Sequence, residues 1–223
     1  MIPKHVSAFR EQHQASEVSS SYNGWLHLAF TSFASIAVIA YALRRVVHPN
    51  LMECLVVPAS CLYANLVEYA GHRGPMHSPF RRIEIIYRRH ADEHHRYFTH
   101  DAMEARNSRD YAMVLFPPVM IVFFIGFFAL PVAYLLGRWA SPNSGFLFLA
   151  TGMAYFLNYE WFHFAYHMPA GSWARRLPGM RSLLKLHTTH HDQRLMNRWN
   201  FNITYPLGDL LFGTYRREEE ASR

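Results

Sequence analysis

A chain of 223 residues is one domain by length, and 51% apolar and 16% aromatic residues against 17% charged suit a lipid bilayer. The net charge of +6 reads as membrane topology and affinity for anionic headgroups, which leaves no need for a nucleic-acid partner. Cys54 and Cys61 sit on one predicted helix. Their α-carbons would be ~10 Å apart at 1.5 Å per residue, beyond disulfide reach.

In chain order, residues 1–24 are polar and include Glu11 and Glu17, a poor secretory signal, so the first apolar run is expected to stay as an anchor. Four runs follow that suit helices crossing a ~30 Å hydrocarbon core. They are Trp25 to Leu43, Leu51 to Ala70, Ala112 to Leu136 (interrupted by Pro117, Pro118 and Pro131) and Phe146 to Phe162. Glu53 and Glu68 lie near the ends of the second run, where a charge can reach the interface. Asn158 and Glu160 lie close to the end of the fourth. The expectation is an all-α integral membrane chain with four transmembrane helices in two hairpins. The segments are 1–24 polar, 25–71 first hairpin, 72–110 a histidine segment, 111–163 second hairpin, and 164–223 a second histidine segment with its tail. The even count returns both termini to one side.

Which side follows from the basic residues. Eight arginines lie between 73 and 109 and nine basic residues between 168 and 223, while the intervening loops hold only Arg44, Arg45 and Arg138. By the positive-inside rule both histidine segments and both termini are cytoplasmic, in a bacterial inner membrane or the endoplasmic reticulum. The acidic run Glu218 to Glu220 reads as a solvated tail. The glycosylation pattern Asn202-Ile203-Thr204 then falls in the cytoplasm and is a false positive.

Ten of the fifteen histidines fall into four clusters at the ends of apolar runs: His72-x4-His77, His90-x3-His94-His95, His163-x3-His167 and His187-x2-His190-His191. Neutral imidazole is the commonest biological metal ligand, and ten exceed what one four-coordinate ion can use, so two metals are the natural count. His90 with His94, and His163 with His167, are four apart and project from one helix face, a pair able to grip one ion. His187, His190 and His191 offer three- and four-residue spacings, enough to serve two ions. The doubled histidines need not share a metal. Pro75 is expected to break or bend the helix carrying His72, so that His72 and His77 both turn inward. His5, His13, His27, His48 and His100 read as ordinary polar residues.

The order of these clusters resembles the fatty acid hydroxylase superfamily of histidine-rich di-iron membrane proteins, which includes sterol desaturases and fatty acyl and sphingolipid hydroxylases. The likeness runs from about His72 to Tyr215. It includes Asn158 to His167 (NYEWFHFAYH) and Trp199 to Thr214 (WNFNITYPLGDLLFGT), similar to that family's closing signature. The resemblance implies a four-helix membrane base under a cytoplasmic helical cap that holds two irons. It also implies a ligand set of His72, His77, His90, His94, His95, His163, His167, His187, His190 and His191. The x4 spacing of the first cluster is more like the acyl and sphingolipid hydroxylases, whereas the x3 spacing before His94 is less typical of acyl 2-hydroxylases.

On that resemblance the reaction is hydroxylation of a lipid carbon–hydrogen bond, with dioxygen as co-substrate and two supplied electrons. A sterol-type desaturase or methyl oxidase is the alternative on the same irons. A non-enzymatic metal carrier or transporter is the alternative of another class, disfavoured because transporter ligands belong near mid-bilayer. The lipid would enter from the bilayer past Tyr155, Phe156, Tyr159, Trp161, Phe162 and Phe164, residues that equally suit helix packing. Glu68, Glu93, Glu160 and Asp192 stand beside the clusters, ready either to orient imidazole rings or to pair with arginines, and Glu160, three residues before His163, is the best placed for a ring. The chain lacks a haem-binding His-Pro-Gly-Gly, a cysteine pattern for an iron–sulfur cluster and a glycine-rich dinucleotide fingerprint. Electrons must therefore come from another protein of ferredoxin or cytochrome b5 type. Arg81, Arg82, Arg88 and Arg89 form a face for such a carrier or for lipid headgroups.

Overall fold

A computed structural model of the chain describes residues 2–217, so the expected tail Glu218 to Glu220 lies outside the described residues. Among them every regular element is helical, with one isolated bridge between Thr99 and Ala102. Three helices are long and apolar enough to cross a membrane: α2 (Gly24–Arg44), α3 (Leu51–Met76) and α5 (Val119–Trp139). Their most apolar windows are only 22%, 11% and 17% buried, so most of their greasy surface faces outward, as lipid-facing helices require. The fourth expected span is the 25-residue α6 (Pro142–Tyr166), which is not among those three. Asn158, Glu160 and its tyrosines dilute its apolar character, and much of it is buried.

Local chemistry sets the ends and bends of these helices. Asn50 and Glu53 form a reciprocal capping box at the start of α3, with Glu53 N donating to Asn50 Oδ1 at 3.0 Å and Asn50 N to Glu53 Oε2 at 2.8 Å. The third helix begins at Val119 rather than Ala112 because Pro117 and Pro118 lack the N–H groups an interior turn needs, and prolines are best tolerated at a helix start. Pro131 does not interrupt it. A π-helical turn, Phe124–Ala129, loosens the backbone just ahead of that proline and the helix continues to Trp139. Pro75 likewise sits inside a π-helical turn, His72–Met76, that ends α3, so the chain widens at the first histidine cluster instead of breaking before it.

The chain divides into two compact units. One comprises residues 25–64 and 116–161, and its core is Ala42, Ile121, Ala129, Ala133, Phe148, Leu149, Ala150, Met153 and Phe156. Phe116 stacks on Tyr159 at 5.3 Å and on Phe156 at 6.3 Å there. The other comprises residues 1–24, 65–115 and 162–223 and contains all ten clustered histidines. Its polar N-terminal stretch forms a helix, α1 (Lys4–Glu17), which turns Val6, Arg10 and His13 inward at helical spacing. It also holds α4 (84–97, with a π-helical middle Arg88–His94), α7 (Met180–His190) and the short α8 (Leu207–Phe212), which stops at Gly213 in the left-handed conformation, φ 68°.

Candidate metal centre

The ten histidines converge into two buried cages of five. His72, His77, His90, His95 and His190 form the first, and His94, His163, His167, His187 and His191 the second; within each, one ring nitrogen per residue lies within 4.8 Å of all the others. The π-helical turns explain the membership. An i→i+5 backbone bond brings residues five apart onto one face, and His72 with His77 and His90 with His95 are five apart, each pair in the first cage. His90 and His94, expected to grip one ion on α-helical spacing, are instead divided between the cages, because α-helical spacing does not apply across that π turn. Where the helix is regular the i,i+4 rule holds: His163 with His167 and His187 with His191 share the second cage. The doubled histidines split, His94 from His95 and His190 from His191.

Seven of the ten rings are oriented through Nδ1, six of them by main-chain carbonyls. His72 donates to Phe201 O, His94 to Met113 O (2.7 Å), His163 to Val114 O (3.1 Å), His167 to Met103 O (2.8 Å), His190 to Trp199 O (2.9 Å) and His191 to Phe98 O (2.5 Å). His77 Nδ1 lies 3.1 Å from Asn197 Oδ1. A carbonyl can only accept, so each of these Nδ1 atoms carries the proton and each Nε2 presents a bare lone pair. The Nε2 atoms then meet at 3.2 Å for His94 with His191 and for His94 with His163, and at 3.0 Å for His77 with His190. Lone pairs facing one another at that distance repel unless a cation lies between them. Metal–imidazole bonds of 2.0–2.1 Å place neighbouring nitrogens roughly 3 Å apart, so the donor set and its spacing both fit an ion in each cage.

Burial supplies the neutral ligand form. It pushes the imidazolium pKa down at His77, His90, His94, His95, His167, His187, His190 and His191, to about 4 at His77. One phenylalanine backs each cage: Phe201 lies edge-on to His72, His77 and His190 at 5.7–6.1 Å, and Phe98 lies 4.2 Å from His167 and 5.6 Å from His94.

The acids named from sequence make the following contacts. Glu160, buried on α6, accepts from Phe116 N at 3.3 Å. Glu68 accepts from Thr204 N and Oγ1 at 3.0 and 2.6 Å, and from Ile203 N. Glu93 is 3.6 Å from Arg88, and Asp192 pairs with Arg194 at 2.6 Å, which draws its carboxyl down to about 2. Of the aromatics proposed to line a substrate path, Phe164 stacks on Tyr111 at 4.1 Å and Phe162 packs on Tyr205 at 5.8 Å.

Sequence reasoning missed the polar frame behind the first cage. The buried Asp209 carboxylate accepts from Phe201 N (2.9 Å), Asn202 N (2.8 Å) and Thr214 Oγ1 (2.7 Å), fixing the segment whose carbonyls orient His72 and His190. Asn200, at φ 58°, donates to Leu186 O and Arg216 O. Asn202 is buried and its amide donates to Asn65 O at 3.1 Å, so the glycosylation pattern is sequestered in the folded chain. The visible signal was the density of Asn, Asp and Thr in an otherwise apolar stretch that cannot leave them unpaired.

No curated protein matches the chain in a sequence search. Among solved structures, full-length Scs7p, with only its hydroxylase domain visible, superposes with a TM-score of 0.59 at 22% identity, over 87% of this chain and 67% of that one, a likeness of fold. The fatty acid hydroxylase family profile matches residues 57–214. That stretch carries every histidine of both cages and the carbonyls that aim them, and the chain belongs to the fatty acid hydroxylase family.

Proposed function

We propose that the chain is a membrane-bound di-iron oxidoreductase that hydroxylates a lipid, fatty acyl or related, at a carbon–hydrogen bond. The reaction balances as RH plus dioxygen plus two electrons and two protons giving ROH and water. The observation that carries this reading is the pair of five-imidazole cages with their lone pairs turned inward, in a chain of this family. His72, His77, His90, His95 and His190 would hold one iron, and His94, His163, His167, His187 and His191 the other. Two irons supply, when bound, the activation of dioxygen that an unactivated carbon–hydrogen bond requires. The chain's own part is to bury the imidazoles as neutral ligands, to aim the Nε2 atoms of seven of them through Nδ1, and to shut water out with Phe98 and Phe201.

In this reading α2, α3, α5 and α6 are four spans, and the basic segments place the cages and both termini in the cytoplasm. The lipid tail stays in the bilayer while its reactive carbon reaches the cages. Electrons arrive from a separate ferredoxin- or cytochrome b5-type protein at Arg81, Arg82 and Arg88, which are exposed. Arg89 has a structural duty as well, donating to Ala112 O at 2.8 Å.

The test is to express the chain with iron and isotopically labelled dioxygen and compare lipid extracts by mass spectrometry with those of a His190→Ala variant. A lipid that gains one labelled oxygen only with the intact chain supports the proposal. A new double bond without label identifies a desaturase instead, and iron-loaded protein that leaves every lipid unchanged counts against an enzyme.

A further inference from the structure

Helix α1 lies outside the stretch matched by the family, yet its Arg10 is fully buried in the unit that contains both cages. A buried guanidinium is costly unless its donors are used. Arg10 spends them on main-chain carbonyls: Nε donates to Tyr97 O at 2.6 Å, Nη1 to Glu104 O at 3.0 Å, and Nη2 to Ala102 O. Its charge also lies over the rings of Tyr97 and Phe98, at 5.2 and 4.9 Å.

The carbonyls Arg10 holds interleave with the ones that aim metal ligands. Phe98 O, next to Tyr97, takes His191 Nδ1, and Met103 O, between Ala102 and Glu104, takes His167 Nδ1. Ala105 N then donates back to His167 O at 2.8 Å. Segment 97–105 is thus gripped on one side by Arg10 and on the other by two histidines of the second cage. Among the described residues, the first-cage rings aimed through Nδ1, His72, His77 and His190, are held by Phe201 O, Asn197 and Trp199 O, near a segment pinned by Asp209 and not by Arg10.

We propose that Arg10 is a positioning residue for the second cage, a brace from the N-terminal helix that sets the rings of His167 and His191 and so tunes the affinity of one metal of the two. The inference rests on the dimetal reading above. Other contacts seat the brace: Arg109 Nη2 donates to Gln14 O at 3.0 Å and Val18 O at 2.6 Å, the Arg96 guanidinium lies 4.4 Å from the Phe9 ring, and Asp110 accepts from Gln14 and from Tyr97.

The experiment uses the full chain in detergent, stripped with a chelator and titrated with Co(II). Binding is followed by visible absorption and elemental analysis, and folding by circular dichroism. The wild type should take up two ions per chain. Arg10→Met should keep one at wild-type affinity and weaken the other about 10–100-fold, the usual cost of losing a group that orients a ligand. Arg10→Lys, which keeps the charge but not the planar fork, should show a smaller loss at the same ion. Adding Arg10→Met to His191→Ala should remove no further ion, whereas adding it to His77→Ala should weaken the one that remains.

Equal weakening of both ions in Arg10→Met, or two ions bound as in the wild type by a folded Arg10→Met or Arg10→Lys, overturns the brace. If Arg10→Met does not fold, Arg10→Lys decides. A wild type that takes up no cobalt sinks the dimetal reading itself, and the brace with it; a two-ion wild type with an indifferent Arg10 sinks the brace alone.

Discussion

Acid should unfold the metal-stripped protein well before it unfolds the loaded one, and His77 sets the scale. Burial lowers its pKa from the ordinary 6.5 to about 4 in the folded chain. Above pH 6.5 the ring is neutral in both states and contributes no pH dependence. Between 6.5 and 4 the unfolded chain binds a proton that the folded chain refuses, so stability falls as pH falls, by about 1.4 kcal/mol per pH unit at full slope. At pH 5 the loss from this residue is about 2 kcal/mol, a sizeable part of the ~5–15 kcal/mol typical of a folded domain. The other seven cage histidines whose pKa burial lowers act in the same direction and enlarge it. Chelator-treated protein melted at pH 7.5, 6.5, 5.5 and 5.0 should lose, through His77 alone, roughly 4–8 °C by pH 5. His77→Asn should show a shallower dependence, and protein reloaded with metal should stay level from pH 7.5 to 6, because the proton and the ion compete for one lone pair. A stripped protein whose melting temperature is flat across this range would refute the reasoning, since it would mean that the rings are hydrated or already protonated in the folded state.

Other outcomes follow from single contacts. Asp110→Asn puts an amide where a buried carboxylate accepts from Tyr97 Oη, Gln14 Nε2 and Arg106 N, and should cost about 1–3 kcal/mol in chemical denaturation; an unchanged midpoint would show that these bonds re-form. Gly208→Ala would set a Cβ 2.7 Å from Asn202 Oδ1 and 2.8 Å from the Tyr69 side chain, an overpacking cost of about 1–3 kcal/mol visible as a lower melting temperature. Arg81→Glu with Arg82→Glu should slow turnover driven by a protein electron donor and leave turnover with a chemical reductant unchanged; equal loss in both assays rules out a docking role.

The histidines that form both cages were legible in the sequence, and the groups that orient them were not. Grouped histidines announce themselves, and the family resemblance set them in order. The division into cages was hidden because α-helical spacing was assumed at His90 and His94, where the backbone is π-helical and residue i+5, His95, shares the face. A π turn has no residue signature of its own beyond cues such as Pro75, read from sequence as a break or bend. The carbonyls that aim the rings were hidden for a simpler reason: every residue has one. Arg10 drew no reading from sequence, being one charge in the polar stretch 1–24. Only the fold shows that three of its five N–H donors are spent on carbonyls inside the protein.

The choice of carbonyls over carboxylates has a consequence for the chemistry. An imidazole that donates to a carboxylate gains basicity and binds metal more tightly, and the net charge of the site falls. Here six rings donate to neutral main-chain oxygens, and the acids predicted to serve them, Glu68, Glu93 and Asp192, are engaged with main-chain amides, a threonine hydroxyl or arginines. Ten neutral ligands would leave the charge of a divalent ion in each cage uncompensated in a buried place, which would favour the reduced metal and an anionic ligand over a sixth imidazole. On this argument, substituting Asn197 by Asp, to give His77 a carboxylate partner, should tighten the first-cage ion and shift its redox potential downward. Electrochemistry on the loaded protein reads the sign, and an upward shift would show that the ring is not tuned through Nδ1.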